Sequence, residues 1–252
     1  MADKTSFGFE SVSFQEKTKR VKGVFESVAN RYDLMNDLMS GGLHRCWKKT
    51  FVSRIPTFKG AICLDVAGGT GDIATRLYHK LSPQGGGKVM VYDLTPSMLE
   101  VGRDRAFDQG FFSDLSWICG SAESIPFPDN FFDFYTISFG LRNVTHLEKA
   151  LSEAFRVLKP GGRFFCLEFS KIKDPVLKRF YDLYAFKIIP KMGFFVAKDE
   201  ASYRYLSESI EQFPDQSLLE GFLKDAGFSQ VSHENLTAGI VAIHYGSKVI
   251  SQ

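Results

Sequence analysis

The chain has 252 residues, enough to bury a full hydrophobic core, and 44% hydrophobic with 24% charged residues is the composition of an ordinary globular domain. A formal net charge of +2 supplies no concentrated basic excess and argues against a nucleic-acid partner. No stretch approaches the ~18 consecutive apolar residues of a membrane-spanning helix.

The first 17 residues are polar and read as a flexible tail. They lack the apolar core of a secretory signal and the Arg-rich bias of an organelle presequence, so a cytoplasmic location is expected. Val21, Val24, Phe25, Val28, Tyr32 and Met35 recur at three- and four-residue steps, which predicts one helix ended by Gly41-Gly42. A second amphipathic piece carries Leu43, Cys46, Trp47, Thr50 and Phe51 on one side before Pro56 breaks it. Residues 18–57 thus precede the first strand and are a candidate lid.

Alternation then sets in: strand 61–66, helix 72–81, strand 88–93, helix 96–109, strand Leu115 to Cys119, strand Phe131 to Ser138, helix Leu147 to Leu158, the turn Lys159 to Gly162, and strand Arg163 to Phe169. Residues 171–212 are helical in pattern, followed by a helix at Leu218 to Ala226 and two β-type runs, Phe228 to Glu234 and Gly239 to Tyr245. The expected fold is α/β, a single Rossmann-like domain with a seven-stranded, mostly parallel sheet. The last two strands leave no room for a helix between them, so they form a hairpin and the final strand runs antiparallel.

Gly68, Gly69, Thr70 and Gly71 directly follow the first strand, a glycine turn opening a helix, as nucleotide sites require. Asp93 ends the second strand, 22 residues beyond Gly71, and suits the two hydroxyls of an adenosine ribose. Thr95 before Pro96 is the better cap for the next helix, which leaves Asp93 for a ligand. Asp72 at the helix N-terminus would repel a pyrophosphate; a turn flanked by Asp65 and Asp72 suits a sulfonium with an amino group, which favours S-adenosylmethionine (SAM). In the loop after the third strand, the small Ser121 and Ala122 would admit a flat adenine.

Cys46, Cys63, Cys119 and Cys166 form no close pair and read as buried thiols of a reducing compartment. None of the five His residues forms a ligand-spaced pair, and no metal is expected.

Leu64 to Asp72 resembles motif I of class I SAM-dependent methyltransferases, and Leu158 to Arg163 the turn before their fifth strand. Tyr32 to Asp37, Ile137 to Val144, Ser202 to Leu206 and Asn235 to Gly239 are similar to the ubiquinone/menaquinone biosynthesis C-methyltransferases, the UbiE/COQ5 family, over a match running from about Val21 to the C-terminus. Ala67 stands where the general class has its first glycine, and Ser40-Gly41-Gly42 departs from the family's Ser-Phe-Gly. The resemblance implies SAM contacts at Gly69, Thr70, Gly71, Asp93, Ser121, Ala122 and Ser138. It also implies methylation of a ring carbon in a polyprenylated benzoquinol (2-polyprenyl-6-methoxy-1,4-benzoquinol type), a demethylmenaquinol, or both.

Carbon is a poor nucleophile unless a neighbouring hydroxyl donates electron density, and ionising a phenol near neutral pH needs cations or hydrogen-bond donors close by. Arg142 and Asn143, just past the fourth strand, are the expected catalytic residues: Arg142 to stabilise the phenolate and orient a water, Asn143 to position a ring oxygen. Tyr32 and Asp33, with the residues around His44, are candidates to close over the ring. The aromatic and basic stretch from Lys173 to Lys198, with Phe194 and Phe195 among its rings, is expected to receive the prenyl tail and touch an anionic membrane surface, with packing of a homodimer as the plainer reading. A nicotinamide-linked reductase would need a second nucleotide-binding half and a proton relay, neither of which is found. A non-catalytic SAM-binding scaffold of a quinone-synthesis complex is the remaining alternative.

Overall fold

The computed structural model describes residues 4–29, 32–111, 115–191 and 200–249. Its centre is a seven-stranded sheet in the order β5-β4-β3-β6-β7-β9-β8. The strands are β3 (Ile62–Val66), β4 (Lys88–Asp93), β5 (Leu115–Cys119), β6 (Phe132–Ser138), β7 (Leu158–Phe169), β8 (Ser229–Leu236) and β9 (Val241–Ser247). β9 pairs antiparallel with both β7 and β8, and the remaining pairs are parallel, as the short connection before β9 requires. From β3 the chain runs outward to β5, then crosses back to lay β6 on the other side of β3. The resulting switch point between β3 and β6 opens a crevice at the strands' C-terminal ends.

Helices α4 (Asp72–Leu81), α5 (Pro96–Asp108), α6 (Leu147–Val157) and α9 (Gln216–Asp225) cover the two faces of the sheet. On one face Phe51, Ile55, Leu77 and Leu81 pack with Val89, Phe165 and Ile243; on the other, Leu151, Val157 and Leu219 pack with Leu64, Tyr135 and Phe164. The central strands are near-continuous Val, Ile, Leu and aromatic runs because both of their faces are buried. α9 starts at Gln216 because the Asp215 side chain accepts the Leu218 N–H at 2.8 Å and caps it. β7 begins earlier than expected: Lys159 to Gly162 stays attached to the sheet as a register shift between Phe132 and Phe134, with Gly161 and Gly162 exchanging backbone bonds with Lys248.

The N-terminal segment differs from the expected tail. β1 (Lys4–Phe7) and β2 (Glu10–Ser13) form an antiparallel hairpin, Phe7 stacks on Tyr205 at 4.1 Å, and Ser13 caps α1 (Phe14–Val28) by accepting the Glu16 N–H. The single helix expected through Met35 is divided, with α2 (Tyr32–Ser40) and α3 (Leu43–Arg54) following α1. The expected 171–212 insertion begins only at α7 (Pro175–Leu183), continues into a π turn (Tyr184–Ile188) and includes α8 (Glu200–Gln212). Tyr184 in that turn donates to the Met39 carbonyl at 3.0 Å, so insertion and N-terminal helices meet. The cysteine expectation is half corrected: Cys63 and Cys166 are buried, whereas Cys46 and Cys119 are exposed. Among the described residues no helix is long and apolar enough to cross a membrane.

Candidate functional site

Three adjoining clefts lie over the switch point. The first is lined by Val66 at the end of β3, Ala67 and Gly69 after it, Tyr92 and Asp93 of β4, Ser121 and Ala122 after β5, and Thr18, Val21 and Phe25 of α1. The second is small and polar, walled by Lys48, Asp65, Gly68, Gly69, Thr70, Asp72 and Ser138. The third is a largely apolar cavity of about 280 Å³ beneath α1, α2, α3 and the insertion, with Trp47, Phe139, Phe169, Tyr181 and Leu206 among its walls. Ala67 and Gly69 line both the first and second clefts, Phe25, Phe139 and Asn143 the first and third, and Lys48 the second and third. A ligand laid across the first two would present its middle to the third.

The backbone turn is built by strain and fit. Gly71 is the N-cap of α4 at φ 78, and a Cβ there would stand 2.4 Å from the Trp117 ring, so only glycine serves. Ala67 holds φ 50, a left-handed conformation, where the general class has glycine. Its methyl occupies the space a Cβ on Gly140 would need, 2.3 Å away, so the turns after β3 and β6 interlock.

Of the expected SAM contacts, Asp93, Ser121 and Ala122 meet in the first cleft, Thr70 and Ser138 in the second, and Gly69 in both. Gly71 alone among them lines none of the three and serves the turn. Asp93 Oδ2 accepts the Gly69 N–H at 2.9 Å and Oδ1 the Thr95 N–H at 2.8 Å, while Thr95 makes no capping bond with its own side chain. Asp93 therefore pins the glycine turn and retains lone pairs for hydroxyl donors. Burial raises its pKa against these backbone bonds. Ser138 Oγ is buried without a partner.

The structure corrects the role expected of Asp72. Its oxygens are taken by Lys48 Nζ at 2.9 Å and Arg76 Nε at 2.7 Å, and although burial raises its pKa, these cations hold it below the usual carboxylate range. Its charge is spent within the protein. Asp65 carries the open carboxylate instead. Thr136 donates to Oδ1 at 2.7 Å, Oδ2 is buried with no partner, and burial pushes the pKa up to about 7.

Arg142 and Asn143 sit in a single 3-10 turn (Leu141–Asn143) after β6, as their sequence position implied. Arg142 Nη1 donates to the Phe139 carbonyl at 2.6 Å and to Glu168 Oε1 at 2.8 Å, and its guanidinium lies over the Phe169 ring. Its Nε is buried and unpartnered. Tyr205 donates to Asn143 Oδ1 at 3.0 Å, leaving Asn143 Nδ2 buried without an acceptor. Each of the two thus keeps a buried donor with no protein partner, which buried polar groups seldom do. Glu168 and the relation of Tyr205 to Asn143 escaped the sequence reading. Tyr205 lies in the family-like segment Ser202 to Leu206, but nothing local marks Glu168 as a partner of Arg142. The expected closure by Tyr32 and Asp33, and the roles of Phe194 and Phe195, fall on side chains outside the described residues. Among the described residues no group of three His, Cys, Asp or Glu side chains could hold a metal ion.

Comparison with known proteins agrees with this architecture. The chain is 51% identical to the ubiquinone/menaquinone biosynthesis C-methyltransferase UbiE of Francisella tularensis subsp. novicida, over 97% of each chain. It is 49% identical to the mitochondrial 2-methoxy-6-polyprenyl-1,4-benzoquinol methylase of Bos taurus, over 98% of this chain and 84% of the relative. Among solved structures, a SAM-dependent methyltransferase from Thermotoga maritima, described as a possible histamine N-methyltransferase, superposes with a TM-score of 0.63 at 20% identity, over 90% of this chain and 99% of that one. The [4+2]-cyclase SpnF does so at 0.68 and 16% identity, over 93% and 97%. Likeness at that identity speaks for the fold alone. The model of the ubiE/COQ5 methyltransferase family matches residues 13–248, and the chain belongs to that family.

Proposed function

We propose that this protein transfers a methyl group from SAM to a ring carbon of a polyprenylated quinol, of the benzoquinol or demethylmenaquinol type. The observation that carries the reading is the shared wall: Asn143 and Phe139 border both the first cleft and the apolar cavity, and Lys48 borders both the polar second cleft and that cavity. Adenosine fits the first cleft, with Asp93 accepting from the ribose and Ser121 and Ala122 beside the base. The methionine end fits the second, where the unpartnered oxygens of Asp65 and Ser138 suit an ammonium group. When bound, SAM supplies an electrophilic methyl group, and the protein's task is to bring a nucleophilic carbon in line with it.

Arg142 and Asn143 direct their open donors at a ring oxygen. The Arg142 cation lowers the pKa of the quinol hydroxyl, whose proton leaves to solvent, and the phenolate then donates electron density into the ring. The buried face of the N-terminal helices excludes water, so α1 to α3 act as a lid. α7 divides its work. Tyr181 faces the cavity, while Val176, Phe180 and Leu183 are 65%, 67% and 56% exposed beside the exposed cations Arg179, Lys187 and Lys191. This outer face suits the headgroup boundary of an anionic bilayer, from which the prenyl tail would enter. A cytoplasmic protein docked on the inner membrane face fits that arrangement.

Incubation with radiolabelled SAM and reduced acceptors tests the activity. Label should pass to benzoquinol or naphthoquinol; tight SAM binding without transfer to either would overturn the catalytic reading.

A further inference from the structure

Methylating a ring carbon releases one proton, and the chain must provide for its departure. Among the described residues lining the apolar cavity there is no carboxylate and no thiol. Arg142 and Lys48 are cationic. Burial raises the phenol pKa values of Tyr181, Tyr184 and Tyr205, so these remain protonated near neutrality. Among the described residues of that wall, His44 is the one remaining side chain with a basic lone pair.

His44 lies in the first turn of α3 and is buried. Its Nε2 stands 3.2 Å from Asp37 Oδ1 of α2, and its Nδ1 is buried with no partner. With Nε2–H turned toward the carboxylate, the lone pair belongs to Nδ1. Asp37 is itself fixed by Arg45, whose Nε and Nη2 reach its two oxygens at 2.7 and 2.6 Å. This is a base held by an oriented carboxylate, the arrangement general-base catalysis uses.

We propose that His44 is the general base that takes the ring proton after methyl transfer, with Asp37 as its positioning residue. The proposal rests on the quinol-methylation reading above and adds the base for the ring proton, which that reading does not name. As the methyl carbon bonds to the ring carbon of the phenolate, the carbon–sulfur bond breaks and its pair stays on sulfur, leaving a neutral thioether and a methylated dienone. Nδ1 takes the hydrogen of that ring carbon as a proton, and the C–H pair restores the aromatic ring as the quinolate. The quinolate is protonated from solvent, and the imidazolium, facing Asp37, returns its proton to solvent.

The charges around the ring are consistent with a base free at neutral pH. Burial is the main cause that lowers the His44 pKa, Lys48 and Arg45 lower it further, and Asp37 and Asp72 oppose them. His44 is then neutral at pH 7, and activity should fall only on the acid side, below the ordinary imidazole range.

The experiment compares wild type with His44→Gln and Asp37→Asn, using quinol carrying deuterium at the acceptor carbon, with SAM affinity and melting temperature measured for each. Folded His44→Gln should bind SAM as wild type does, turn over about 100-fold or more slower, and acquire a primary deuterium isotope effect. Asp37→Asn should shift the acid limb of the pH profile. An active wild type accompanied by His44→Gln within about threefold of it, or a slow His44→Gln without the isotope effect, overturns the proposal alone. A wild type inactive on both quinol types overturns the methylation reading and the base with it.

Discussion

Arg142 and Glu168 face each other at 2.8 Å with side chains 6% and 0% exposed, an ion pair wholly withdrawn from water. Glu168 also accepts the Arg142 and Phe169 backbone N–H groups, so it fixes both the guanidinium and the turn that carries it. A buried pair broken on one side leaves an uncompensated charge, costing ~3–5 kcal/mol. Arg142→Ala should therefore lower both turnover, by about 100-fold or more, and melting temperature. Pairing it with Glu168→Gln should restore most of the stability and none of the turnover. Recovery of turnover in the double variant, or near-normal turnover of Arg142→Ala at saturating quinol, would remove Arg142 from the chemistry.

Tyr205 orients Asn143 from the insertion side. Without the phenol, Asn143 Oδ1 loses a bond of ~1 kcal/mol, and the amide is free to turn its oxygen toward the substrate. Tyr205→Phe should keep SAM affinity and raise the KM for quinol or lower kcat by about tenfold, an effect on the scale of that bond and its misdirected amide. Asn143→Ala should be no less impaired. Steady-state kinetics with SAM saturating read both.

Asp65 should make SAM affinity pH-dependent. A cationic amino group beside it favours the ionised carboxylate, so its pKa, about 7 in the free protein, drops on binding. Linkage then weakens affinity as pH falls through 7, by up to about tenfold per unit. Asp65→Asn should bind more weakly and lose this acid limb. Calorimetric titration between pH 5.5 and 8.5 checks the slope; a wild-type affinity independent of pH would separate Asp65 from the ligand.

The sheet was legible because its signals are local: a run of buried apolar residues, then Gly68 to Gly71, then an amphipathic helix. The short link before Val241 likewise dictated an antiparallel last strand. The hairpin at residues 4–13 was not, since its alternation is almost wholly polar and its Phe7 finds Tyr205 only in three dimensions. Asp72 misled for the same reason. Its partner Lys48 lies 24 residues earlier, on α3, and neutralises the charge that the sequence offered to the ligand. Glu168, 26 residues beyond Arg142, reads as a strand residue until the register of β6 and β7 brings the two together.

The outer face of α7 provides a last test. Val176, Phe180 and Leu183 recur at helical spacing and stand exposed, while Ala185 and Ile189 on the following turns are buried against the body of the protein. Such a stripe in water costs hydration free energy that insertion among acyl chains would recover, at ~1.5–3 kcal/mol for each fully buried side chain. Replacing all three by Ser should weaken binding to vesicles containing anionic lipid by at least about tenfold. Methylation of an acceptor with a short, water-soluble tail should be unaffected, because none of the three lines the cavity. Binding should also weaken with added salt, since Arg179, Lys187 and Lys191 border the stripe. Equal vesicle binding by wild type and the triple variant would place the membrane contact elsewhere, and equal loss with long- and short-tailed acceptors would mean that α7 supports the fold and not delivery of the tail.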